Sequence, residues 1–350
     1  MERSPDSLAG MAASAFGTGT YAAMRQATSL QSFLEFLINF FTCGRIRRRN
    51  ETQYHELIET MAETLKSTMP DRGAPLPENI ILDDMDGCRV EFNLPGENNE
   101  AGQVIVRVSK DGNTETREVP METFEKVCRV LLFRCEYSLP QDSIILTAQG
   151  GMYLKDALLT GANLTAENLC GADLSGANLE GAVLFMADCE GANFKDANLS
   201  GASLGSSNLQ NACLEDAIMC GATLDQANLT GANLQRASLL ACSMIDSNLC
   251  GANMERANFS GAILTGANMC DTRLKGTNMM ATNMEGAILT RANLQKANLT
   301  SANLEGADLS QADLKNTNIK DCTLTHSRTE ETRMSASTQM LFNEFYSDDF

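Results

Sequence analysis

The sequence predicts a mostly β chain. A solenoid of five-residue units occupies residues 151–325, and a smaller α+β domain precedes it over residues 31–150. Three observations predict this. From Leu154 to Leu324, 35 positions spaced five apart all hold Leu, Met, Phe, Ile or Cys. Two residues before each, Ala dominates, as at Ala162, Ala172 and Ala232. Asn or Asp sits between, and Gly often opens the unit, so the consensus reads G-A-N-L-x. Before Gly150 the pattern is different: alternating apolar runs and amphipathic stretches separated by turn residues.

Residues 1–30 are rich in Ala, Ser, Thr, Gly and Met and lack a sustained apolar face, which reads as a flexible leader. Residues 32–43, SFLEFLINFFTC, are apolar nearly all round but too short to span a bilayer. An Arg cluster follows at once. Phe36, Phe40, Phe41, Cys43, Arg47 and Arg48 are therefore the candidate membrane contact: an apolar helix in the interface, cations on anionic head groups, and a cysteine placed for acylation. The competing reading is a buried helix beside a solvated Arg run. Residues 51–69 carry Tyr54, Leu57, Ile58, Met61 and Leu65 at helical spacing. Strand-like runs follow at 88–94, 103–108 and 114–119, punctuated by Pro95-Gly96 and Asp111-Gly112. A helix is expected over 124–133 and a strand over 144–146.

A period of five fits neither the 3.6 of a helix nor the 2 of a strand. A helix would smear the leucines round every face, and a strand would throw alternate ones to opposite sides. A chain that turns a corner every five residues keeps them all inside. Four such sides close a coil of about 20 residues, and stacked coils pair their backbones about 4.8 Å apart. The large residue fills the interior. The Ala-class residue also points inward and must be small. Asn and Asp are expected at the corners, where they bond nearby backbone. Where Thr replaces Ala, over residues 271–282, the coil is expected to widen.

After Leu324 the apolar register decays, and residues 326–350 read as a tail. Leu341, Phe342, Phe345 and Tyr346 form a helix-like stripe ringed by acids. Such a stripe suits a groove on a partner protein. The alternative is a helix that covers the last coil.

Composition narrows the function. The chain carries 45 acidic against 27 basic residues, a formal net charge of −18, which argues against nucleic-acid binding. Two histidines leave little for a metal site or a His-dependent triad. No paired nucleophile and base stands out, so neither an enzyme nor a cofactor is expected. No apolar run is long enough to span a membrane, and no cleavable secretory signal is visible. The 12 cysteines form no CxxC pair and are expected to be reduced, small apolar residues.

The G-A-N-L-x repeats are similar to those of the pentapeptide-repeat family, which implies a right-handed quadrilateral β-helix. The leader, α+β domain, solenoid and the ending LFNEFYSDDF together resemble the PipB family of type III secreted effectors, in particular those that recruit kinesin. That resemblance implies a bacterial effector acting inside the host cell. It would sit on the pathogen-containing vacuole, its tubules and late endosomes, bind the kinesin-1 light chain, and drive membranes outward. The family's motif for this outward distribution falls on Leu341, Phe342, Asn343, Glu344 and Phe345. A second class of reading is an acidic β-helix that mimics DNA and inhibits a topoisomerase. Against it, only −8 of the net charge lies in residues 151–325, and basic residues interrupt the surface.

Overall fold

A computed structural model describes residues 79–85, 88–94, 102–110, 113–121 and 151–346, with isolated helical positions at 63, 66, 67, 124, 128, 133 and 137. The chain divides into two compact units, Met1–Met152 and Tyr153–Phe350. The leader 1–30 and the apolar-basic segment with Phe36, Phe40, Phe41, Cys43, Arg47 and Arg48 lie outside the described residues.

In the first unit, four strands form an antiparallel meander: β1 Asn79–Met85, β2 Cys88–Asn93, β3 Gln103–Lys110 and β4 Asn113–Pro120. The β2, β3 and β4 strands fall where alternation predicts them. The β1 strand does not. Its sequence NIILDDM is half apolar run and half acidic, so neither period is visible. It pairs Ile80 with Phe92, and a register shift falls between Leu82 and Met85. Alternation puts Val90 and Phe92, Val104 and Val106, and Val119 on one buried face. Phe124, helical and 2% exposed, lays its ring 5.1 Å from that of Phe92. Cys128 and Phe133, also helical, are buried too. Positions 63, 66 and 67, within the expected 51–69 helix, are helical and exposed.

The second unit is the solenoid. Every bridge joins residues 20 apart in parallel, from Tyr153 with Asp173 to Asp308 with Arg328. Four pentapeptides therefore make one turn. Each large residue donates its N–H to a carbonyl of the next turn, as Leu154 to Asp173 at 2.7 Å and Leu234 to Asn253 at 2.7 Å. Each Ala-class N–H closes the corner just before it, as Ala232 to Leu229 at 3.0 Å. Stacking and turning thus satisfy most of the backbone, and the first corner N–H is left to a side chain. Inside, the Leu files and Ala files are fully buried. A buried Leu contributes about 1.5–3 kcal/mol, so each turn brings its own core.

The corners lie two and three positions on from Asn and Asp, which were expected to occupy them. The two residues after each large one form the turn, and the second has positive φ. This explains the Gly at that place: Gly231 has φ +68, and a Cβ there would stand 2.7 Å from the Asn211 side-chain oxygen. Asn and Asp occupy the bridge position on the flat side instead. Their Oδ1 reaches forward to accept the corner N–H, as Asn178 from Glu180 at 3.1 Å. Their amides also stack, Asn198 Nδ2 donating to Asn178 Oδ1 at 3.3 Å.

The Thr stretch does not disturb the register: Arg273 pairs with Asn293 and Asn278 with Asn298, still 20 apart. Thr272, Thr277 and Thr282 are buried, and each hydroxyl donates to the carbonyl three residues back at 2.7 Å. A satisfied hydroxyl fits the Ala site at little cost. The coil also runs past residue 325. Strand β5, Asp313–Leu314, pairs in parallel with β6, Arg333–Met334. Thr329 interrupts the large-residue file there, and Met334, five residues on, resumes it at the last paired position.

Candidate partner-binding site

The segment after β6 folds as a helix, Ala336–Tyr346. Ser335 begins it. Its Oγ accepts the N–H of Thr338 at 3.3 Å, the bond an N-cap serine makes to the third helical residue. The same Oγ accepts the N–H of Asn316 at 3.2 Å, so the cap also ties the helix to the turn below. Thr338 is 1% exposed. Its hydroxyl lies 3.2 Å from the carbonyls of both Leu314 and Thr317. Within the coil an Ala-class carbonyl such as that of Thr317 accepts from the turn above, and here the hydroxyl takes that donor's place; the Leu314 carbonyl also accepts the Thr317 N–H at 3.1 Å.

The second half of the helix faces outward. Met340 is 72% exposed. Leu341 and Phe342 are half-buried, and Asn343 is exposed, its Oδ1 accepting from Gln339 Nε2 at 2.9 Å. Glu344, Phe345 and Tyr346 continue the helix. Their side chains from residue 344 onward lie outside the described residues. The helix is therefore both cap and display, a division by halves. Ser335 and Thr338, which hold it, were not singled out in the sequence. The available signal was a serine three residues ahead of a buried-type position at a helix start.

The cysteines depart from expectation at one point. Cys250 and Cys270 form a disulfide. Both sit on the first corner position of consecutive turns, with Cα atoms 4.8 Å apart, so the stack itself brings them together. Asp271 lies beside them, but Arg291 takes both its oxygens, at 2.8 and 2.6 Å. That pairing holds the Asp271 carboxyl below its usual range. Elsewhere Cys189, Cys242 and Cys322 are buried, and burial raises each thiol, the last two to about 12.

Among the described residues, no helix is long and apolar enough to cross a membrane. Outward charges form rungs between turns. Lys195 meets Glu215 at 3.2 Å, and Arg236 bridges Glu215 and Asp216. What the geometry offers is a rigid rod with a partly exposed apolar helix at one end.

Comparison with known proteins agrees with this division. The family described as the secreted effector protein PipB2, N-terminal domain, matches residues 27–134. The family described as a pentapeptide repeat region matches residues 252–329, and the family described as pentapeptide repeats (8 copies) matches four stretches, 153–185, 187–226, 217–256 and 227–266. The secreted effector protein PipB2 of Salmonella typhimurium is 83% identical over 188 residues, which cover 54% of each protein. The chain thus spans about half the length of the curated relatives it matches. The solution structure of the N-terminal domain of Salmonella PipB2 is 83% identical, covering 34% of this chain and 99% of that one, with a TM-score of 0.25. The crystal structure of HetL, a pentapeptide-repeat protein from the cyanobacterium Nostoc, is 28% identical over 52% of this chain and 86% of that one, with a TM-score of 0.46.

Proposed function

We propose that the chain, which matches pentapeptide-repeat models and an N-terminal domain of the PipB2 kind, is a secreted bacterial effector that works as a tether rather than a catalyst. Its last helix binds the light chain of host kinesin-1, with Leu341, Phe342, Asn343, Glu344, Phe345 and Tyr346 as the contact. The apolar-basic segment with Phe36, Phe40, Phe41, Cys43, Arg47 and Arg48 engages vacuolar or late-endosomal membrane. Motor and membrane joined through one chain would extend tubules outward, and several copies on one vesicle raise motor engagement by effective concentration. The coil's right-handed, four-sided form belongs to the same reading and makes the solenoid a stiff spacer.

One observation carries the reading. The helix is fixed at its start by Thr338 and leaves Met340 and Asn343 exposed at the rod's end, a presentation that suits a groove-binding helix. The test is pull-down of kinesin light chain by the full chain and by Leu341→Ala with Phe345→Ala. Loss of capture at unchanged melting temperature is expected. Capture equal to that of the parent would remove the motif assignment. The topoisomerase reading is disfavoured by the basic residues gathered on one side of the solenoid.

A further inference from the structure

The basic side chains are not spread evenly round the coil. Residues 151–325 hold ten Lys and Arg. Eight of them lie in one of the four sectors of each turn, the one that starts at bridge residue Tyr153, ends at corner residue Asp156, and recurs every 20 residues. Over its last turns this sector carries Arg256, Arg273, Lys275, Lys296, Lys315 and Arg333, all exposed, against Glu255 and Asp313 alone. Half a turn away, the sector starting at Asn163 carries Asp225, Asp246, Glu285 and Glu305 and, over residues 163–326, no Lys or Arg.

In the earlier turns of this same sector cations are neutralised between neighbouring turns, Lys195 with Glu215 and Arg236 with Asp216, and outside it Arg291 meets Asp271. Among the described residues, Arg256, Arg273, Lys275, Lys296 and Arg333 have no carboxylate within 4.0 Å, and Lys315 reaches Asp313 only at 3.9 Å. Arg236 and Arg256 even follow one another in the same file. Outward positions place no demand on the core, so the fold does not require this repulsion. An anionic surface would relieve it.

We propose that this sector lies flat on a bilayer bearing anionic phospholipid head groups. The geometry favours a plane over a peptide. Two cations stand in each of three parallel files: Arg273 and Arg333, Lys275 and Lys315, Arg256 and Lys296. The files run straight for about 20 Å at the stacking distance of the turns. An extended acidic peptide would meet one file at a time, whereas head groups meet all three. Four to eight clustered cations are enough to hold anionic lipid. The chain's net negative charge does not forbid it, because the opposed acids lie across the coil and screening acts over about 8 Å. The inference deepens the tethering reading by adding a membrane contact on the solenoid. Its test contains no motor component, so its failure is distinguishable from failure of the light-chain assignment.

The full chain is sedimented with phosphatidylcholine vesicles with and without phosphatidylserine, beside two charge-matched variants whose folding is checked by thermal melting. Lys275→Gln with Lys296→Gln removes two cations from the sector, and Arg291→Gln with Lys320→Gln removes two from elsewhere. Every sample keeps the Arg cluster at residues 45–49. The sector pair should lower partitioning onto phosphatidylserine by about 25-fold, at about fivefold per cation, while the other pair changes it by less than about threefold. Equal losses in both pairs would overturn the proposal, as would binding indifferent to phosphatidylserine. So would retained vesicle binding with lost capture on polyglutamate beads, or with lost self-association, which would assign the sector to an acidic protein or to a second copy.

Discussion

The hydroxyl of Thr338 lies 3.2 Å from the carbonyl of Leu314, 24 residues earlier. This bond and its twin to Thr317 join the helix to the coil just past the point where the next turn, Arg333–Met334, leaves it. A single side chain thus does for the end of the stack what a full turn does within it.

Thr338→Val keeps the shape and removes the donor. The Thr317 carbonyl would then lose the hydroxyl, while that of Leu314 keeps the Thr317 N–H, at a cost of about 1–2 kcal/mol. The expected outcome is faster amide exchange over residues 336–343 and earlier proteolysis within the helix, with the solenoid amides before residue 300 unchanged. Exchange measured by mass spectrometry reads both. Uniform loss of protection along the solenoid would show that the bond supports the whole stack instead.

Acid should loosen the rungs between turns. Hydrogen bonds from Lys195 and Arg236 hold Glu215 low, and Arg236 and Arg291 do the same for Asp216 and Asp271. A carboxyl depressed in the folded state stabilises fully above its unfolded value and loses that contribution as pH falls through the folded one. Melting temperature should therefore fall from pH 5 downward. The effect is modest because these groups are exposed and screened. A variant with Arg236→Gln and Arg291→Gln should show a shallower acid slope. Equal slopes would mean that other carboxyls govern the acid limit.

The thiols should divide by depth. Cys242 and Cys322, with thiols pushed to about 12, and the fully buried Cys189 stay protonated at pH 8. Native protein treated with iodoacetamide should leave these three unmodified. Without reductant, Cys250 and Cys270 should be recovered in one linked peptide pair, and with reductant both should be alkylated. Labelling of Cys189 in native protein would contradict its place in the core.

The solenoid was legible because one residue class recurs without a gap. Inward burial leaves a periodic mark on composition, and a register of 20 follows from four units per turn. The Cys250–Cys270 bridge was legible in principle for the same reason, since both hold the first corner position four units apart. It was missed because thiol pairing was judged by local spacing such as CxxC. Corner and bridge positions were exchanged because Asn and Asp favour turns in general; here they bond the corner from the side beside it, as Asn178 does with Glu180. Strand β1 was missed because Asp83 and Asp84 interrupt its apolar pattern while its pairing with β2 persists to Met85. The stripe from Leu341 to Tyr346 was readable as a helix, but its docking was not, because Thr338 looks like one polar residue among many.

The 20-residue register also sets how this rod can change length. Removing one whole turn would shorten it by about 4.8 Å and leave every outer file continuous, so cations, acids and the terminal helix keep their compass bearings. Removing a single pentapeptide would preserve the core equally well yet rotate everything downstream by a quarter turn. Evolutionary gains and losses in such a chain are thereby sorted by their remainder on division by four units: some adjust reach alone, and the others re-aim the molecule.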